Sequence, residues 1–306
     1  MSTTSTRTRR RVWPWIAASA AAGLIVAQVV APDGAPGTWT YLGALVGAAV
    51  VAVVSVFRLG RPRLARGLLA GGVVASALGD VSWQVYVTVR GTSPDVSVAD
   101  VPWMLSYVLV GAALLLLRPD GRARLRDDGD SFIDMGIVAV IGSLVVWQLW
   151  VGPTVADTST PLFVRIVWAS YPVLDSALLG LLVRVLLDRS IRGAVSRLVA
   201  TGVACWLLSD LGFLVLGEDS TLAPLMNAGW MLGSVVLAAA CWRLQPAASP
   251  AAEPAPTHLD EAMGTDGPHV AVSRTRVALA IVVILFPWLF EVVAFVGGTD
   301  TNPVPS

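Results

Sequence analysis

Leu78-Gly79-Asp80-Val81-Ser82-Trp83 places an aspartate well inside an apolar run that extends from Leu64 to Val89. A short polar loop follows and closes with Ala99-Asp100-Val101-Pro102-Trp103, where a second aspartate precedes the next apolar run. A related pattern returns 130 residues downstream as Ser209-Asp210-Leu211-Gly212-Phe213, followed by Trp230-Met231-Leu232. Apolar segments this long read as membrane-spanning helices. A charge inside one is expensive enough to demand a reason. The fold is therefore sought in a bilayer, and the chemistry among the acidic side chains.

The same texture extends in both directions. The chain of 306 residues is 55% apolar and only 14% charged, with a mean hydropathy of +0.71. Soluble domains carry about 25% charged residues. Nine apolar runs can be marked: Trp13 to Ala31, Thr38 to Phe57, Leu64 to Val89, Val101 to Leu117, Phe132 to Val151, Pro161 to Leu187, Leu198 to Leu216, Leu222 to Trp242 and Val277 to Val296. Each is roughly 17 to 27 residues, enough to cross the hydrocarbon core as a helix. No strand-like alternation appears, and backbone groups in lipid must be paired within the segment, so the runs are read as helices. The first run has a basic flank that would suit a signal peptide, but it is long for one, and it is read as a retained helix.

The expected fold is an all-α, polytopic membrane bundle of nine transmembrane helices. Residues 1–12 form a basic N-terminus and 13–243 an eight-helix membrane domain. Residues 244–274, with Pro246, Pro250, Pro254, Pro256 and Pro268, read as a flexible linker. Residues 275–297 hold the ninth helix and 298–306 a polar tail. A shift of 130 lays Tyr41 on Tyr171 and Asp80 on Asp210, and a shift of 127 lays Trp103-Met104-Leu105 on Trp230-Met231-Leu232. Residues 13–117 and 132–242 thus read as a parallel tandem repeat of four helices each, plus one.

Orientation follows from the arginines, the only basic residues apart from two histidines. Nineteen cluster on one side: Arg7, Arg9, Arg10 and Arg11; Arg58, Arg61, Arg63 and Arg66; Arg118, Arg122, Arg124 and Arg126; Arg184, Arg189, Arg192 and Arg197; and Arg243, Arg274 and Arg276. Only Arg90 and Arg165 fall on the other. The positive-inside rule then puts the N-terminus in the cytoplasm and, after nine crossings, the C-terminus outside a plasma membrane.

Gly72, Ser76, Asp80 and Gln84 recur every four residues with Trp83 beside them, so small and polar groups share one helix face. Counting the helical rise puts Asp80 and Asp210 in the outer half of the bilayer, as it does Glu291 in the ninth run. Asp175, within Tyr171-Pro172-Val173-Leu174-Asp175-Ser176, lies nearer its middle, and Asp134 near the inner surface. One ionised residue at mid-membrane costs about 2.5–3.5 kcal/mol. These groups must therefore be protonated, hydrogen-bonded or paired, and Arg165 is the obvious cation at that level. The candidate site is a polar, outward-leaning pocket built from Asp80, Trp83, Gln84, Asp100, Tyr171, Asp175, Asp210 and Arg165. The alternative is that each aspartate bonds to nearby Ser, Tyr or Trp groups and only sets helix register.

Several chemistries lack their residues. Without lysine there is no retinal Schiff base. His258 and His269 both lie in the linker, so no bis-histidine haem or metal cluster is expected within the helices. No phosphate-binding glycine loop or nucleophile elbow is present. Cys205 and Cys241 read as small core residues rather than a bridge. The expectation is of no enzyme, no cofactor and no metal.

The order of these features resembles the multi-helix N-terminal membrane region of actinobacterial GGDEF and GGDEF–EAL signalling proteins. The carrying residues are Gly79-Asp80 with Trp83, Ser93-Pro94, Ser97-Val98-Ala99-Asp100, Tyr107, Asp134, Tyr171-Pro172 with Asp175, and Ser209-Asp210. The likeness covers about Trp13 to Arg243. It implies a sensory input module of cyclic-di-GMP signalling, followed in that family by a return to the cytoplasm and a GGDEF domain. This sequence holds no such motif, so no catalytic residue carries over. A small-molecule or proton-coupled transporter is the alternative, and a purely structural assembly partner a third. Expected partners are the lipid bilayer, an unidentified small-molecule or membrane signal and a second copy of the chain, but no nucleic acid.

Overall fold

The computed structural model describes residues 5–59, 64–117, 158–187, 194–217 and 220–244, with scattered positions between 141 and 156. These belong to the unit Met1–Gln245. Seven long helices lie within the continuous stretches: α1 Ser5–Val30, α2 Gly34–Arg58, α3 Leu64–Arg90, α4 Asp100–Leu116, α5 Leu162–Leu187, α6 Ala194–Leu216 and α7 Ala223–Arg243. Among the described residues there is no strand. Helices α2, α3, α5, α6 and α7 are long and apolar enough to cross a membrane; α4 and the apolar part of α1 (Trp15–Val30) are shorter. The fifth run is described only at scattered positions, and the ninth run, the linker, Asp134 and Glu291 lie outside the described residues.

Of the eight expected runs in this region, seven have a described helix, and six of those coincide with it to within about four residues. The exception is α1, which begins at Ser5, inside the basic stretch expected to precede it. A helical backbone satisfies its own hydrogen bonds and need not stop where the apolar side chains do. Helix ends follow local chemistry. Gly91 and Gly217 take φ +69° and +75°. Their amides bond back to Val87 O at 2.8 Å and Phe213 O at 2.9 Å, closing α3 and α6 in the left-handed cap that glycine adopts without strain.

Neighbouring contacts run α2–α3–α4–α5–α6–α7 and return from α7 to α2, so the six helices close into a ring. Helix α1 lies outside, against α2 and α7, and α3 also reaches α7. Leu45, Leu69, Val110, Leu114, Val203 and Leu237 fill the interior. Small residues set the tightest crossings. A methyl group at Gly72 would overlap Val110 of α4, and one at Gly202 would overlap Leu237 of α7. Large apolar side chains such as Trp15, Phe57, Val89 and Phe163 stand on the outer surface. A water-soluble monomer does not expose such a surface, whereas hydrocarbon covers it without cost.

At the arginine-rich end, polar side chains tie elements that are distant in sequence. Fully buried Arg66 of α3 donates through Nη2 to Leu244 O, just past α7. Arg184 of α5 points Nη1 at Leu114 O of α4, 3.5 Å away. Trp242 of α7 donates to Val51 O of α2 at 3.0 Å. Positive groups at helix C-termini are favourably placed against the helix dipole.

Candidate functional site

At the other end of the ring, aspartates meet tyrosines and tryptophans. Asp80 stands on α3, one residue past Gly79, which lies so close under the Trp103 ring that a methyl group there would overlap it. This close approach of α3 to α4 brings the Trp103 indole within hydrogen-bonding reach of Asp80. From the other side Tyr41 of α2 donates its hydroxyl to Asp80 Oδ1 at 3.0 Å. Trp83 does not bond the carboxylate; it packs on Trp103, ring centroids 5.9 Å apart.

Asp210 on α6 has the same kind of setting. Trp230 of α7 donates Nε1–H to its Oδ1 at 2.6 Å, and Tyr107 of α4 donates to its Oδ2 at 2.9 Å. Phe213, three residues on, packs on Trp230 with centroids 5.9 Å apart. Asp175 of α5 lies within hydrogen-bonding reach of both Tyr107 and Asp210, and its buried Oδ1 has no donor. Two carboxyl groups in such contact share a hydrogen bond only when a proton sits between them. Asp175 follows Pro172 by three residues in α5; Pro172 lacks an amide hydrogen, and Ser176 Oγ bonds its carbonyl at 2.9 Å.

Asp100 opens α4 and is nearly buried. Its Oδ2 accepts the Ser97 amide at 2.7 Å, which closes the loop, and its Oδ1 accepts the Tyr171 hydroxyl at 2.6 Å. Tyr171 sets its ring edge against that of Tyr107, 6.3 Å between centroids. Trp168 of α5 donates to Asp95 O at 3.0 Å and pins the same loop.

Of the sequence candidates, Asp80, Asp100, Tyr171, Asp175 and Asp210 thus come together, with Trp83 at the margin. Gln84 does not join them. Its side chain bonds Thr88 Oγ1 at 3.3 Å along α3, because a position one turn beyond Asp80 follows the helix toward the exposed end. Arg165 is half-buried in the first turn of α5, its amide bonded to Pro161 O at 3.1 Å. Sequence reasoning allowed for Tyr and Trp donors as a class in its alternative reading, but did not pick out which ones. Tyr41, Trp103, Tyr107 and Trp230 were visible only as markers of repeat or likeness. Their signal is scarcity: the chain has four tyrosines, and three of them hold an aspartate. A phenol in an apolar run carries a hydroxyl that needs a partner.

Chemically, the cluster holds carboxyl groups away from lipid and couples them through six helices, α2 to α7. Among the described residues no group of histidines, cysteines and acids is placed to hold a metal ion. Comparison with protein-family models, characterised proteins and solved structures finds no match.

Proposed function

We propose that this chain is an integral-membrane sensory module, with the aspartate–tyrosine–tryptophan cluster as its sensing element. The observation that carries the reading is the setting of Asp210. One carboxylate takes donors from α4 and α7 and touches the carboxyl of Asp175 on α5, so its protonation or charge is felt by four helices at once. A group meant only to set register needs one or two donors, not a second carboxyl beside it. The output is assigned by resemblance alone: control of cyclic-di-GMP turnover by a GGDEF-type domain, with no catalysis in the membrane part itself.

The proposal includes nine crossings, the N-terminus in the cytoplasm and two parallel copies of four helices. Equivalent packing supports the repeat. Gly72 meets Val110 and Ser106, while Gly202, 130 residues on, meets Leu237 and Gly233, each 127 residues on. Trp83 on Trp103 matches Phe213 on Trp230 by the same two shifts. The copies differ where chemistry is placed: Asp175 stands where the first copy has Leu45.

The test is to express the full reading frame in cells and measure cyclic di-GMP. Asp210→Asn keeps the size of the acid and most of its hydrogen bonds but removes its proton exchange. A severalfold change in output at normal expression is expected. Unchanged output in both Asp80→Asn and Asp210→Asn would return these residues to a structural role. The Asp175–Asp210 contact beside Pro172 also suits a proton-coupled transporter. Proton uptake by reconstituted vesicles that is lost in Asp175→Asn, with cyclic di-GMP unaffected, would select that reading.

A further inference from the structure

We infer that the outer half of α3 carries a binding site for one phospholipid, its phosphate held by Arg90 and an acyl chain laid in the cleft below. The cleft has a volume of about 380 Å³. Val81, Val85 and Val89 form one row along it, and Ser82 and Tyr86 the next. Val98 of the following loop faces them, and Arg90 stands at the end. Its walls are mainly apolar, with the four valines outnumbering Ser82, Tyr86 and Arg90, and Val85 and Val89 are 56% and 75% exposed, so water is a poor occupant of this space at membrane depth.

Length and charge then specify the occupant. From Val81 to Arg90 the helix rises about 13 Å, close to half of a hydrocarbon core of about 30 Å. The cleft therefore spans one leaflet, with its cation at headgroup level and its deep end at the turn that carries Asp80. The Arg90 guanidinium lies 6.0 Å from the centre of the Tyr86 ring, a cation–π contact that holds it over the mouth. A planar guanidinium fork is suited to the two oxygens of a phosphodiester. Arg90 and Arg165 are the only arginines outside the arginine-rich side of the chain. A soluble anion would match the arginine but leave the valine walls uncovered; a lipid phosphate with its chain matches both. The inference stands apart from the sensory reading, since it concerns the lipid-facing side of α3.

The test uses the full chain extracted in mild detergent and native mass spectrometry of its retained lipid. Wild type should keep one phospholipid. Arg90→Gln should retain it roughly tenfold less, the loss expected for charge-assisted hydrogen bonds, and Val85→Trp should fill the cleft and exclude it. Arg90→Lys should keep part of the retention. On the unaltered protein, phosphatidylglycerol should outcompete diacylglycerol with the same chains. Equal retention by wild type, Arg90→Gln and Val85→Trp would overturn the site, as would indifference between the two added lipids. Displacement by inorganic phosphate alone would show a headgroup-sized anion site and overturn the lipid assignment.

Discussion

Asp210 shows how an acid is made tolerable at membrane depth. Two donors from different helices reach its two oxygens, at 2.6 Å and 2.9 Å, so neither oxygen of Asp210 is left as an unpaired acceptor. Removing one donor should therefore be felt. Tyr107→Phe is expected to destabilise the protein by about 1–3 kcal/mol, the cost of a buried group left unpaired. Thermal unfolding in detergent would measure it, and Tyr86→Phe, at a tyrosine with no aspartate partner, should leave the midpoint nearly unchanged. Asp80 permits a second comparison. Asp80→Asn retains an oxygen for the Tyr41 hydroxyl and should fold normally, whereas Asp80→Leu strands that hydroxyl and should lower the yield of folded protein. Equal yields for the two would mean that Tyr41 finds another partner.

Helix pairs in this bundle are set by where a side chain is missing. Without a hydrophobic driving force between helices in lipid, contact depends on close approach of backbones. Gly72→Val and Gly202→Val should each overlap a neighbouring helix, Val110 and Leu237 respectively. Each should cost about 1–3 kcal/mol by overpacking, read as a lower unfolding midpoint. Gly43 and Gly47 have nothing within 4 Å of a new methyl group, so Gly43→Ala is the control and should change little. If the two halves are copies, the Gly72 and Gly202 variants should fall by similar amounts. A large drop in one alone would argue against the repeat.

Across the whole molecule, the ring is closed by contacts between residues far apart in sequence. Trp242 reaches Val51 O, and Arg66 reaches Leu244 O, at the arginine-rich end. Orientation belongs to this scale too. It rests on the nineteen-to-two arginine bias, and single cysteines can check it. A cysteine at Gly34 or Thr158 should react with an impermeant thiol reagent in intact cells. One at Gly60 or Gly121, both outside the described residues, should react only after permeabilisation. Labelling of the second pair in intact cells would invert the topology.

What the sequence determined by itself is the helical, membrane-embedded character of the chain and the bounds of most helices. Both follow from local physics: apolar length matches bilayer thickness, and lipid forces each backbone to bond within its own segment. Asp80, Asp175 and Asp210 were also legible as anomalies, because a charge in an apolar run stands out in one dimension. Their partners were not. Tyr41 lies 39 residues from Asp80, and Tyr107 lies 103 from Asp210. Only the tertiary structure decided that Tyr171 bonds Asp100 rather than Asp210, that Gln84 turns along its own helix and that Arg66 meets the end of α7. Hydrogen-bond pairing across a bundle depends on which faces meet and at what depth, and no periodicity within a single helix encodes that.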